Sequence, residues 1–176
     1  MRNFRGALWA AAVFAIVLFA YDLNRLYALR YGADLGTFLQ TLVNWRHATT
    51  FNYGEWRPHL QVHDSWALIV LVPLIAVVPR AETLLAIQVL AVASAAIPLA
   101  LLGRELGLSP RAATIVAIGY LLTPSAQGLA YDNFSENVFV PVLAFSGLTP
   151  LTSIVWYRSL PFSYIRSSLN ESASFS

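Results

Sequence analysis

The sequence predicts an all-α fold, a polytopic helical membrane protein, and three observations lead there. Of its 176 residues 57% are hydrophobic and only 11% are charged, far from the balance of a soluble domain of that length. The apolar residues fall in long runs, residues 7–21 without one charge, then 66–79, 83–102, 112–122 and 138–148. A helix tolerates hydrocarbon because it satisfies its own backbone hydrogen bonds where no water can. Between the first two runs lies a polar, tryptophan-rich, histidine-bearing stretch, residues 24–66, which has to sit at a membrane surface. The remaining composition excludes other classes. A formal charge of +2, scattered along the chain, does not suit nucleic-acid binding. The absence of cysteine rules out disulfides and thiolate metal sites.

The first element is a span over about residues 7–23. Arg2 and Arg5 ahead of it, with an apolar core, resemble a signal peptide, but Leu18 stands where a small residue would precede cleavage. An uncleaved span with a cytoplasmic N-terminus follows from the basic flank. Next, Leu35, Phe38, Leu39, Leu42 and Val43 recur at helical intervals with Gln40, Thr41 and Asn44 off that face. This predicts an amphipathic helix lying in the interface, Trp45 at headgroup depth. Residues 49–54 read as a loop, and Pro58 restarts order. Residues 66–79, interrupted by Pro73, are short for a crossing and read as a re-entrant segment. Extending them back into a full span would bring His63 and Asp64 into the bilayer, at about 2.5–3.5 kcal/mol for a central Asp. The dip also places residues 103–111, with Arg104 and Arg111, in the cytoplasm and gathers Asp34, Glu55, Asp64, Asp132 and Glu136 on the other face. Spans over 83–102, 111–130 and 138–157 complete the membrane domain. Alanines at helical spacing (Ala7, Ala11, Ala15; Ala91, Ala95) allow close helix approach in lipid. From residue 148 the composition turns serine-rich and alanine-poor, as a shifted reading frame or a truncation would make it, or as a natural polar tail.

The candidate chemistry sits in the polar segments. Asp34, just outside a span, would serve as general base on a hydroxyl or as metal ligand; the plainer role is capping the helix that follows. Gln40 and His63 are candidates to bind substrate. His59 and His63, four apart, would share a helix face, but no third ligand completes a metal site, and no cofactor is expected. Arg46 and Arg57 suit a phosphate, to which a guanidinium donates two hydrogen bonds, and equally a lipid headgroup. Asp132 and Glu136, four apart at the end of a span, share one face and would position a substrate or mark the membrane exit. Gln88, inside a span, is placed to bond across helices.

The order of these pieces resembles the bacterial and archaeal membrane family called domain of unknown function 2079. The resemblance is carried by Asp34-Leu35-Gly36-Thr37-Phe38-Leu39-Gln40, His63 ahead of Pro73-Leu74, Gln88 and Pro98. It continues through Tyr120-Leu121-Leu122-Thr123-Pro124-Ser125-Ala126-Gln127 to Asp132 and Glu136, and covers about residues 21–147. That family looks like a relative of the GT-C glycosyltransferases, which take sugars from polyprenyl phosphates. The resemblance implies that Asp34, in the first extracytoplasmic loop, is the catalytic acid position and that Asp132 or Glu136 is a second one. Asn133-Phe134-Ser135 departs from the histidine that relatives carry near this Asp. It also implies partners, membrane lipid and a polyprenyl-phosphate sugar, with no nucleic acid, and a longer protein of which this chain is the N-terminal part. The competing expectations are a non-catalytic membrane component, such as a transporter fragment or a packing subunit, and an inactive truncated product. Spans almost free of ionisable residues speak against transport.

Overall fold

The computed structural model describes residues 5–159, and they form a helical bundle. Arg2 and the serine-rich residues beyond 159 lie outside the described residues. Helix α1 (Arg5–Tyr27) is long and apolar enough to cross a membrane, and so is the pair α4 (Ala81–Ser94) and α5 (Ala96–Glu105) taken together. Helices α6 (Pro110–Leu121) and α7 (Pro124–Tyr131) make a third span if their 54° bend is one broken crossing. Helix α8 (Val140–Ser159) follows a short 3-10 turn at Glu136–Phe139; the composition change near residue 148 falls inside it.

Prolines set the breaks. Pro98 lacks the N–H that would bond the carbonyl four residues earlier, and the α4–α5 boundary falls at Ala95. Pro110 and Pro124 each occupy the first turn of a helix, where the missing N–H costs nothing. The residues before them, Ser109 and Thr123, are extended, and their hydroxyls cap the helices by accepting from Ala112 N and Ala126 N. Gly107, at φ +87°, turns the chain between α5 and α6.

Close packing of small residues holds the spans together. Ala7, Ala11 and Ala15 of α1 are buried against Val89, Ala93, Ala96, Ala100, Ala117 and Leu121, so the alanine stripe read in α1 is a packing seam. Its partners are Ala93, Ala96 and Ala100; Ala91 supports a neighbouring cluster around Val92, Ala126, Ala130 and Val138. Gly6 lies so near α6 that an added Cβ would stand 2.7 Å from Thr114 Cγ2.

The polar stretch folds over one end of this bundle. Helix α2 (Ala33–Arg46) presents Leu35 and Leu42 to a core with Leu68, Leu71, Ile75, Leu84, Leu85 and Phe134. Two-residue strands β1 (Phe51–Asn52) and β2 (Arg57–Pro58) pair antiparallel, Phe51 opposite Pro58; β1 lies inside residues 49–54, expected to be loop, and β2 falls where Pro58 was expected to restart order. Residues Trp66–Leu71 form a 3-10 helix that runs into α3 (Val72–Val77). Together they are too short for a crossing of about 20 residues. The chain leaves and re-enters the bundle at the same end, because Tyr27 Oη donates to Glu82 Oε1 at 3.0 Å. Helix α7 returns to that end too, its Tyr131 standing edge-on to Tyr21 at 6.1 Å.

Candidate functional site

Three separate segments meet at this end around a cleft of about 600 Å³. Its lining takes Asp34 and Thr37 from α2, Glu55, His59 and His63 from the hairpin and the turn after it, and Asp132 to Asn137 from the loop after α7. Four carboxylates and two imidazoles therefore face one space.

Each is placed by a specific device. Asp34 sits in the first turn of α2, where the helix dipole favours a carboxylate. It does not cap that helix: the N-cap is Gly32, with no side-chain bond. The Asp34 side chain is exposed and makes no hydrogen bond or ion pair with a side chain among the described residues. Glu55 is set by Asn52, a fully buried amide. Asn52 Nδ2 donates to Thr37 O at 2.9 Å and Thr41 Oγ1 at 2.6 Å. Its Oδ1 accepts from Gly54 N at 2.8 Å and Glu55 N at 3.3 Å. Gln40 works on the same turn, Oε1 accepting from Tyr53 N at 2.9 Å and Gly54 N at 3.3 Å.

Glu55 then joins two histidines. His59, fully buried, places Nδ1 2.8 and 2.9 Å from the two carboxylate oxygens, and His63 Nε2 lies 3.6 Å from Oε1. The imidazoles stand 5.2 Å apart, tilted by 41°. They meet through Glu55 and a 3-10 turn, His59–Gln61, instead of the shared α-helical face that their spacing suggested. Phe38 packs edge-on against His59 at 5.2 Å and Phe134 at 5.4 Å, which gives the polar cleft an apolar floor.

The third segment is tied on both sides. Gln88, buried in α4, donates from Nε2 to Ala130 O at 3.1 Å and Asp132 O at 2.9 Å, the cross-helix bond that its place in a span suggested. This occupies the free carbonyls at the end of α7 and fixes the backbone of Asp132. Ser65 Oγ donates to Glu136 Oε1 at 2.7 Å. Gly32 N donates to Asn133 Oδ1 at 3.0 Å, which links the loop before Asp34 to the loop after Asp132.

Asp34, His63, Asp132 and Glu136 thus share the cleft. The lining includes neither Arg46, exposed at the end of α2, nor Arg57, exposed in β2, and the Gln40 carbonyl is turned to the hairpin backbone. Glu55 and His59, four residues apart, complete the cluster; the end of the hairpin and the turn after it bring them together. Among the described residues no three His, Asp or Glu side chains converge on one metal position. The groups can accept protons, hydrogen-bond hydroxyls and stabilise positive charge.

No curated protein and no solved structure matches the chain. A family model described as "predicted membrane protein (DUF2079)" matches residues 25–161. That span contains every residue lining the cleft and continues beyond Gly147, into α8. The chain belongs to this family of membrane proteins.

Proposed function

We propose that this chain is the N-terminal portion of a membrane glycosyltransferase of GT-C type that uses a polyprenyl-phosphate sugar, with the cleft as its acceptor side. The observation that carries the reading is the gathering of Asp34, Asp132 and Glu136 around one cleft from segments far apart in sequence. In this reaction an acceptor hydroxyl attacks the anomeric carbon, its proton passes to Asp34, and the lipid phosphate leaves with the electrons of the broken glycosidic bond. A sugar losing its leaving group develops oxocarbenium-like positive charge, which Asp132 and Glu136 would face. The unpaired Asp34 carboxylate is free to take a proton, and His63 and Glu55 would meet sugar hydroxyls.

An acidic cleft repels a phosphate. A donor held by Arg57, or by Arg46 after it, would keep its phosphate outside the carboxylates and extend only its sugar inward. The cleft would face away from the cytoplasm, on the side to which lipid-linked sugars are presented, with the N-terminus inside. In the full-length protein, Asp34→Asn should abolish sugar transfer from a polyprenyl-phosphate donor while expression is unchanged. Undiminished transfer would remove Asp34 from the mechanism.

A further inference from the structure

Arg25, in the last turn of α1, occupies a place that the cleft chemistry leaves unexplained. Its Cζ stands 4.5 Å from the centre of the Tyr31 ring and 5.9 Å from that of Tyr131, both within reach of a cation–π attraction. Its Nη2 is 3.4 Å from Arg30 O, while its buried Nη1 has no hydrogen-bond partner. Asp22, one turn earlier, is fully buried and is a charge partner of Arg25 and a neighbour of the Tyr31 hydroxyl. The Tyr31 hydroxyl is held above the ordinary tyrosine range, by burial first and then by the Asp22 carboxylate. The two tyrosines are not on one element. Tyr31 leads into the helix that carries Asp34; Tyr131 immediately precedes Asp132.

We propose that Arg25 is a positioning residue, its planar guanidinium clamping the Asp34-bearing segment to the Asp132-bearing one through the rings of Tyr31 and Tyr131. The proposal rests on reading the cleft as the working site, but its test does not depend on sugar transfer. A plainer role exists: a cation in the last turn of a helix complements the dipole, and lysine would serve that role as well. A clamp needs the rings. Lysine presents a compact ammonium with no plane to stack.

The chain has no cysteine, so engineered pairs report cleanly. A Cβ on Gly32 would lie 3.6 Å from Asn133 Cγ, and Gly32 has ordinary backbone angles; Gly32→Cys with Asn133→Cys therefore reads the distance between the two loops. This pair removes the Gly32–Asn133 hydrogen bond and leaves the clamp to act beside the Phe38–Phe134 contact, so the loop distance becomes more sensitive to the clamp. A Cβ on Gly103 would lie 3.5 Å from Ala113 Cβ, so Gly103→Cys with Ala113→Cys reports the α5–α6 contact as a control. Timed oxidation in membranes should cross-link the loop pair at least about fivefold more slowly with Arg25→Gln or Tyr131→Leu, the scale of a lost cation–π contact. Arg25→Lys should fall between, Tyr131→Phe should match the parent, and the control pair should not change. Equal loop rates in Arg25→Gln and the parent would overturn the clamp. So would full retention in Tyr131→Leu, or a loss at both pairs alike, which would make Arg25 a residue of general stability.

Discussion

Asn52 carries more of the cleft's geometry than any of the acids around it. Its amide bonds Thr37, Thr41, Gly54 and Glu55 at once, and substitution strands buried groups on both sides. Asn52→Ala should lower stability by about 2 kcal/mol or more, since each buried group left unpaired costs about 1–3 kcal/mol; thermal unfolding in detergent would show it. Gln88→Leu should cost less, about 1 kcal/mol, the usual size of a cross-helix bond in lipid. It should nonetheless free the Asp132 backbone, seen as faster amide exchange at the end of α7. At this scale the sequence was partly legible. Asp34, His63, Asp132 and Glu136 stand out because acids and histidines are rare beside apolar runs. Asn52 does not, because an amide that fixes a turn has no periodicity and no motif. Asp22 escaped for another reason: one acid at the end of an apolar run barely changes its average, although α1 buries it completely.

Among the elements, periodicity was readable wherever lipid or core selects for it. The α2 face of Leu35 and Leu42 became the contact with α3 and α4, and the alanine stripe of α1 became its seam with α4, α5 and α6. A leucine in that seam has nowhere to go. Ala11→Leu should destabilise the bundle by about 1–3 kcal/mol through overpacking, whereas Ala12→Leu, on an exposed face, should leave unfolding unchanged; paired melting curves in one detergent compare them. The β1–β2 pair and the 3-10 turns were not readable. Two-residue strands carry no alternation, and the histidine spacing looked helical because a 3-10 turn also returns after a few residues. Glu55 and His59 come together through that hairpin, so their pairing stayed hidden with it.

For the molecule as a whole, the consequential question was which side of the membrane each acid occupies, and hydropathy left it to the short run at residues 66–79. The structure brings the end of α1 and the start of α4 together through Tyr27 and Glu82, and α6–α7 returns Asp132 to the same end. One face of the bundle therefore holds the cleft, and the α5–α6 turn at Gly107 holds the other. The most direct test labels single cysteines with a membrane-impermeant thiol reagent, on the cysteine-free chain, at exposed Gln61, Asn137 and Leu106. In intact cells Gln61→Cys and Asn137→Cys should both react, and Leu106→Cys should react only after permeabilisation. Labelling of Gln61→Cys and Asn137→Cys from opposite sides would separate Glu55 and His63 from Asp132 and Glu136, and no shared cleft could then exist.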